Sequence, residues 1–363
     1  MRRVELACAA LLLAAVTAAP AAMPPAAGRA AIPSLAPLVH RVSPAVVKVS
    51  TRGLIQNGSR TGDPFFRRFF GGPSAPEMQP FESTGSGVIV DARRGYILTN
   101  AHVVRHAGAV TVTLTGGRKV HAAIVGSDRS SDIAVLRIRA RGLTQVAIGH
   151  SSRLRVGDYV LAIGNPFGLP HTVTSGIVSG LDRSGISPDG YEDYIQTDAS
   201  INPGNSGGAL VDLRGRLVGI NTAILSGSGG NIGIGFAIPI DTAERVMRQL
   251  IEHGSVRRGE LGVTVYPVTA EMARVLGIGT AAGALVSQVV PGSAAYEAGV
   301  RAGDVLTSVA GRPVSSNAGV RNALALRTVG ETVGVRLLRN GRPERLRAVL
   351  TGAPASTSNS SGK

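Results

Sequence analysis

Tyr96-Ile97-Leu98-Thr99-Asn100-Ala101-His102 is the stretch from which the fold of this chain can be worked out. Its apolar residues form a short β-strand pattern that ends at a histidine. Other short, branched runs follow, bounded by Gly, Asn or Pro, and they are Val110–Leu114, Ile133–Ile138, Tyr159–Ile163, Leu217–Ile220 and Ile234–Ile240. Many short strands separated by turn residues predict an antiparallel barrel or sandwich and argue against an alternating α/β fold.

The histidine of this stretch has two partners further along the chain. Asp132 follows His102 by 30 positions and opens an apolar strand, and Ser206 lies 74 positions beyond it. Ser206 belongs to Gly204-Asn205-Ser206-Gly207-Gly208, where glycines allow a sharp turn that exposes a hydroxyl and aims N–H groups at an oxyanion. Alone, this motif is equally explained as a glycine turn containing a serine. The order His, Asp, Ser is that of chymotrypsin-like proteases and differs from the orders in α/β-hydrolases and subtilisin.

The start of the chain predicts export. A basic beginning followed by an apolar run and small residues indicates a secretory signal peptide over residues 1–22, with an uncleaved membrane anchor as the alternative. The one cysteine, Cys8, lies inside this segment, so the mature chain would have none in an oxidising compartment. Residues 23–36 are predicted to be a flexible segment and residues 353–363 a disordered tail.

An amphipathic helix follows the β-rich part. Asp241 is placed to cap its start, an apolar stripe runs through Ala243–Ile251, and Gly254 supplies its end. We therefore expect one domain over residues 37–253 and a second over residues 255–352.

Composition excludes several classes of function. The formal net charge is +15, but the basic residues are spread along the chain without a nucleic-acid-binding motif. No nucleic acid partner is predicted, and peripheral contact with an anionic membrane stays open. The chain has no phosphate-binding loop, and its other histidines lack the spacing of metal ligands. Neither a cofactor nor a metal is expected.

Several motifs together resemble the HtrA/Deg family of periplasmic trypsin-like serine endoproteases. They occur in the family's order between about Pro37 and Thr351, and they are TNAHVV, SDIAVL, GNPFG, QTDASINPGNSGGAL and GINTAIL followed by GGNIGIGFAIP. The resemblance implies a mainly β chain: a chymotrypsin-like double β-barrel protease domain with the active site between the barrels, followed by one α+β PDZ domain. It also implies an ATP-independent serine endopeptidase that degrades unfolded or damaged proteins in the periplasm.

The resemblance assigns the catalytic roles. Ser206 would attack the scissile carbonyl, His102 would take its proton, and Asp132 would orient the imidazole. Asp128 is the alternative acid, but Asp132 matches the motif SDIAVL and Asp128 is expected to serve a turn.

The resemblance also implies an oxyanion hole and a substrate pocket. The oxyanion donors would be the backbone N–H groups of Gly204 and Ser206, together with that of Asn205. An apolar pocket favouring small aliphatic side chains would be bordered by Ile201, Ile224 and Leu225. The alternative for these three residues is that one or more of them belongs to the core.

The second domain carries a predicted peptide site. The segment Arg258-Gly259-Glu260-Leu261-Gly262-Val263 resembles the PDZ loop that receives a C-terminal carboxylate on backbone N–H groups. Glu260, Leu261, Gly262 and Val263 are the predicted contacts, and a hairpin start is the alternative. Arg183 matches a position that relays activating signals in the family. In the loop before Ser206, Pro203 departs from the arginine often found in the family, and a proline fixes φ and removes one N–H donor from that loop.

Phe65-Phe66-Arg67-Arg68-Phe69-Phe70 holds four of the seven phenylalanines. Its arginines do not fit a core strand, and it is too isolated for a nucleic-acid platform. The resemblance places it in a loop that contacts other subunits, so Phe65, Phe66, Phe69 and Phe70 are predicted oligomer contacts, with a local hydrophobic plug as the alternative. The expected assembly is a trimer or a multiple of trimers.

Two other functions remain open at this point. One is a stress-signalling protease that is anchored in the inner membrane, faces the periplasm and cuts one regulatory target. The other is a chaperone or peptide-binding scaffold, although intact His102, Asp132 and Ser206 argue against a purely non-catalytic role. In each case the expected partners are unfolded protein substrates and C-terminal peptides.

Overall fold

The computed structural model describes residues 34–55, 79–165, 171–184, 191, 193–224, 233–275, 277–278, 282–325 and 327–352. A short helix α1, Ala36–Val42, and a 3₁₀ turn, Ser43–Ala45, precede the first strand. Most of the regular structure that follows is β.

Six antiparallel strands close into a first barrel in the order β1-β2-β3-β6-β5-β4. Its interior is filled by buried branched side chains such as Val49, Ile97 and Leu136. A one-turn helix α2, Ala101–Val104, follows β3. The strands are β1 Val46–Ile55, β2 Gln79–Asp91, β3 Tyr96–Asn100, β4 Ala109–Thr113, β5 Lys119–Asp128 and β6 Ile133–Ile138.

A second ring of strands runs β8-β9-β10-β13-β12-β11 and closes because β11 pairs with both β8 and β12. β7 pairs in parallel with β12, and a 3₁₀ turn, Ser151–Arg153, follows it. Val160, Ile195 and Leu210 lie in the core of this barrel. The strands are β7 Ala147–Ile148, β8 Tyr159–Gly164, β9 Thr172–Arg183, β10 Tyr194–Thr197, β11 Ala209–Asp212, β12 Arg216–Ile224 and β13 Gly235–Pro239.

The helix after the second barrel, α3, covers Ile240–His253 and ends at Gly254, whose φ of 70° suits a glycine. The prediction that Asp241 caps its start is wrong, because the helix is preceded by Pro239 and has no side-chain cap. The Asp241 carboxylate instead accepts hydrogen bonds of 3.2 and 3.0 Å from backbone N–H groups of the turn Ser151-Ser152. Asp241 therefore binds N–H groups of a distant turn and not those at the start of its own helix.

The last part of the described chain forms a sheet in the order β14-β15-β16-β18-β19, with β17 paired to β16. Leu261, Val286 and Leu337 lie in its core. The strands are β14 Val263–Pro267, β15 Ala284–Val289, β16 Val305–Val309, β17 Arg312–Pro313, β18 Thr332–Arg339 and β19 Arg342–Val349. The helices are α4 Ala270–Val275, α5 Ala294–Glu297 and α6 Asn317–Leu324, and α6 packs against β14 and β16.

Candidate active site

His102 and Asp132 are brought together by two paired strands of the first barrel. The end of β3 lies beside the start of β6, where Asn100 pairs with Ile133. His102 follows in α2, and its Nδ1 lies 2.8 Å from Oδ2 of Asp132 while its backbone N–H donates to Oδ1 at 3.0 Å. Because an ionised carboxylate can only accept, Nδ1 carries the proton of this bond, and Nε2 is the nitrogen suited to take a proton.

The turn that carries Asp132 has an uncommon backbone conformation. Asp132 has a φ of 53°, in the left-handed region that costs a non-glycine residue conformational energy. Its carbonyl oxygen accepts hydrogen bonds from the Ala101 N–H at 3.1 Å and from the Asn100 side chain at 3.0 Å. The segment that leads to His102 therefore holds both the carboxylate and the backbone of Asp132.

Ser206 lies in a tight loop before β11. Gly204 and Gly207 have φ values of 95° and 83°, which an L side chain would adopt only with strain. A Cβ at Gly207 would lie 2.1 Å from the carbonyl oxygen of Ser86, so the loop packs directly on β2. Ser206 is 5% exposed, and its Oγ donates to the carbonyl oxygen of Thr222 at 3.0 Å.

Thr222, in β12, connects the serine to the acid and was missed in the sequence. Its Oγ1 donates to Oδ2 of Asp132 at 2.7 Å, and the same oxygen contacts Nδ1 of His102. One residue of the second barrel thus contacts Ser206 through its carbonyl and Asp132 through its hydroxyl. Thr222 lies within the motif GINTAIL, but a threonine on an apolar strand gives no local sign of such contacts.

Two of the three predicted oxyanion donors are available. Within the described part of the chain, the backbone N–H groups of Gly204 and Ser206 donate no hydrogen bond. The N–H of Asn205 donates to the carbonyl oxygen of Asn202 at 2.9 Å and closes a tight turn. Asn205 is therefore not offered to an oxyanion in this conformation, contrary to the prediction.

Asp128, the alternative acid, binds other partners. It accepts hydrogen bonds from the N–H and the hydroxyl of Ser131, as a turn residue does. The guanidinium of Arg258 donates to it at 2.7 and 2.6 Å and lies 4.3 Å from the ring centre of Tyr191. Burial by itself would raise the pKa of Asp128, but the hydrogen bonds and charge of Arg258, with the donors of Ser131, lower it below its usual value. Its carboxylate is thus occupied as the partner of Arg258.

The three predicted pocket residues are only partly described. Ile201 is 1% exposed and packs in the core of the second barrel, as in the alternative interpretation. Ile224 is the last residue of β12, and Leu225 lies outside the described residues. The pocket therefore stays a prediction.

The loop predicted to receive a peptide carboxylate leads into β14. The carbonyl oxygens of Leu261 and Gly262 accept hydrogen bonds of 2.8 and 2.9 Å from backbone N–H groups in the segment 290–295. Their own N–H groups donate no hydrogen bond among the residues that the structure describes. Glu260 pairs with the chain just after β19, and Val263 opens β14. Two adjacent N–H groups are therefore available to an anion.

The predicted regulatory residue lies among the described residues, and the predicted oligomer contacts do not. Arg183 is the last residue of β9, and its Nε donates to Oε1 of Gln196 on the neighbouring strand β10 at 2.8 Å. The cluster Phe65, Phe66, Phe69 and Phe70 lies outside the described residues, as do the predicted signal peptide and tail. The role of this cluster stays a prediction.

The described ranges show neither a cluster of metal ligands nor a helix suited to cross a membrane. No group of three or more His, Cys, Asp or Glu side chains there could hold a metal ion. No helix in those ranges is long and apolar enough to cross a bilayer.

Comparison with known proteins identifies two domains. Residues 85–220 match the trypsin-like peptidase domain, and residues 259–350 match the PDZ domain. The chain is 48% identical over 334 residues to the periplasmic pH-dependent serine endoprotease DegQ of Escherichia coli, covering 91% of this chain and 73% of that protein. It is 46% identical over 335 residues to the periplasmic serine endoprotease DegP of Salmonella typhimurium, covering 86% and 70%.

A solved structure agrees with these relatives. The HtrA-type protease AlgW with a decapeptide is 45% identical, with a TM-score of 0.71, and the match covers 88% of this chain and 99% of that chain. The predicted fold class, a double β-barrel protease followed by one PDZ domain, is thereby confirmed. With identities of 46–48% to endoproteases over most of its length, the chain is a serine endopeptidase and belongs to the HtrA/Deg family.

Proposed function

We propose that Ser206, His102 and Asp132 form the catalytic triad of an endopeptidase that degrades unfolded or damaged envelope proteins without ATP. The observation that carries this proposal is the continuous hydrogen-bonded path from His102 through Asp132 and Thr222 to Ser206. Its three links measure 2.8, 2.7 and 3.0 Å and include residues of both barrels. Nucleophile, base and acid thus lie within one connected network.

The proposed reaction follows from these contacts. The hydroxyl of Ser206 leaves the Thr222 carbonyl and attacks the scissile carbonyl carbon while Nε2 of His102 takes its proton. Asp132 keeps Nδ1 protonated and stabilises the imidazolium that forms. The oxyanion develops where the N–H groups of Gly204 and Ser206 can donate to it. The leaving amine takes the proton from His102, and water then hydrolyses the acyl-enzyme through the same steps and restores Ser206.

Substitution of the nucleophile tests the triad. We expect Ser206→Ala to lower cleavage of an unfolded protein such as casein by roughly 10⁶-fold, because the covalent step is lost. Asp132→Asn should lower kcat by about 10⁴-fold, because the imidazole would be held in the wrong tautomer. Ser200→Ala is the matched control and should keep full activity. Unchanged cleavage by Ser206→Ala, with circular dichroism as for the wild type, would refute the assignment.

The PDZ domain is proposed to bind C-terminal peptides and so to deliver substrates or regulate cleavage. The open N–H groups of Leu261 and Gly262 would hold the terminal carboxylate, and the peptide would add as a strand beside β14. The related AlgW structure, which was solved with a decapeptide, supports this. In an isothermal titration, a peptide with a free C-terminus should bind at least about tenfold more tightly than its amide, since the charge-assisted hydrogen bonds are lost. Equal affinities would contradict the site.

Location and assembly are proposed from the relatives and the sequence. The names of DegQ and DegP state that they are periplasmic, which supports export of this chain through residues 1–22. The N-terminal residue of the exported protein distinguishes a cleaved signal peptide from an anchor. The phenylalanines of Phe65–Phe70 are proposed to build a trimer or a multiple of it. A strictly monomeric protein in sedimentation would contradict that assembly.

A further inference from the structure

Ser86 is a fully buried residue of β2 that the motifs of the sequence did not single out. Its hydroxyl donates to the carbonyl oxygen of Gly204 at 2.6 Å and accepts a hydrogen bond from the Asn165 N–H at 2.8 Å. Its backbone N–H donates to the carbonyl oxygen of Ser206 at 2.8 Å. Its own carbonyl oxygen accepts from the Thr99 hydroxyl at 2.7 Å. All four contacts are hydrogen bonds between uncharged groups.

These contacts hold the loop of Ser206 at two points. The carbonyl oxygen of Gly204, two residues before the proposed nucleophile, and that of Ser206 itself both accept hydrogen bonds from Ser86. The peptide unit that joins Gly204 to Asn205 is held at both ends, because its N–H donates to Asn202. The orientation of a peptide unit decides where the neighbouring N–H groups can point.

The space around the loop leaves this arrangement little freedom. A Cβ at Gly207 would lie 2.1 Å from the carbonyl oxygen of Ser86, and one at Gly85 would lie 3.1 Å from the carbonyl oxygen of Ser206. The backbones of β2 and of the loop therefore touch directly, and a shift of one is felt by the other. Within the described chain, the N–H groups of Gly204 and Ser206 donate no hydrogen bond and so can bind an oxyanion.

We propose that Ser86 is a positioning residue for the oxyanion-binding loop: from the first barrel, its hydroxyl holds Gly204 so that the N–H groups of Gly204 and Ser206 face the developing oxyanion. The inference rests on the proposed triad, because it assumes that Ser206 is the nucleophile. It adds a residue of β2 to the transition-state machinery, although Ser86 itself touches no reacting atom.

Kinetics of Ser86→Ala test the proposal. We expect kcat to fall between about tenfold and 10³-fold with little change in KM, because loss of a whole oxyanion donor costs 10²–10³-fold and this variant misplaces one. The affinity for a peptide boronic acid, which forms a tetrahedral adduct with a serine, should fall by the same factor as kcat/KM. Ser86→Cys, which keeps the volume and a weak donor, should be intermediate and serves if the alanine variant does not fold.

A structural role alone would give a different pattern. Ser151→Ala is the matched control, because it also removes a buried hydroxyl. The Ser151 hydroxyl accepts a hydrogen bond from the backbone N–H of Asp241, and neither residue belongs to the loop of Ser206. It should lower the thermal midpoint and leave kcat unchanged. The proposal is overturned if Ser86→Ala and Ser86→Cys keep full kcat or raise only KM. Failure of the triad is recognised separately, since Ser206→Ala would then retain activity whatever Ser86 does.

Discussion

Among the described residues, two ionic contacts join the protease domain to the PDZ domain, and they differ in burial. Arg258 donates two hydrogen bonds to Asp128, and these side chains are only 11% and 10% exposed. Arg312, at the start of β17, lies 3.0 Å from Asp182 and 3.5 Å from Asp193. Its side chain is 45% exposed and that of Asp182 is 73% exposed. The same kind of charge pair is therefore largely buried in one contact, whereas the other is exposed at Arg312 and Asp182 and partly buried at Asp193, whose side chain is 29% exposed.

The carboxylates of the two contacts have pKa values shifted in opposite directions. The pKa of Asp128 is lowered despite its burial, because it has the guanidinium of Arg258 to itself. The pKa of Asp193 is raised, first by burial and then by its hydrogen bond and like charge with Asp182, which Arg312 opposes but does not cancel. A carboxylate that shares one arginine with a second carboxylate ionises less readily.

The buried contact is also the one next to Asp132, the proposed catalytic acid. Asp128 accepts hydrogen bonds from Ser131, the residue before Asp132, and the N–H of Asp132 donates to the carbonyl of Arg129 at 3.3 Å. The turn of Asp132 is thus bound to the residue that opens the predicted peptide loop of the PDZ domain. Of these two contacts, the buried one is therefore the one that binds the turn of Asp132.

Removal of Arg258 should lower the free energy of unfolding more than any other change to the two contacts. We expect Arg258→Met to lower the free energy of unfolding of the protease domain by about 3–5 kcal/mol, because the Asp128 carboxylate would stay buried without its partner. Urea titration followed by circular dichroism measures the loss. Hydrogen exchange in the segment 128–132 should also become faster.

The double variant is the control for this effect. Arg258→Met combined with Asp128→Leu removes both charges and should recover part of the stability, since no unpaired charge remains buried. A loss below about 1 kcal/mol in the single variant would mean that the contact behaves as an exposed one.

A fall in pH should reduce the stabilising contribution of Asp128 and increase that of Asp193. The contribution of Asp128 is complete above its unfolded pKa, near 3.9, and is lost as the pH falls through its lower folded value. The contribution of Asp193 is present below the unfolded pKa and is lost as the pH rises through its raised folded value. We therefore expect Asp128→Asn to lower the thermal midpoint at neutral pH and Asp193→Asn to raise it. Both differences from the wild type should shrink in acid, and shifts of the same sign would contradict the contrast.

Removal of Arg312 should have the smallest effect on the free energy of unfolding. We expect Arg312→Gln to change the free energy of unfolding by less than about 1 kcal/mol, because exposed pairs gain little over hydration. The change should shrink further in about 1 M salt, where the screening length is near 3 Å. Urea titrations at low and high salt measure this. A salt-independent loss as large as that of Arg258→Met would remove the distinction between the two contacts.

Much of the fold and the proposed triad could be predicted from the sequence alone. His102, Asp132 and Ser206 stand out because their chemistry requires specific residue types in a known order, and β6 has the predicted bounds of Ile133–Ile138. The end of α3 was predictable because a glycine at that position has a local backbone reason.

Contacts between distant segments account for what the sequence did not reveal. Thr222 and Ser86 act across the two barrels, so neither has a neighbour in sequence that marks it. Asp241 was misassigned because its donors lie 90 residues away in the chain. The sequence pattern shows Arg258 only as the first residue of the predicted peptide loop, whereas its guanidinium binds Asp128. Local patterns predict local structure, and these four residues have tertiary partners.

Labelling with a fluorophosphonate tests the central claim most directly, because this reagent reacts with a serine hydroxyl only when a neighbouring base activates it. We predict a single adduct, found by mass spectrometry on the peptide that contains Ser206, and its loss in His102→Ala. An adduct on another serine, or labelling of His102→Ala at the wild-type rate, would contradict the assignment of Ser206 and His102 as nucleophile and base.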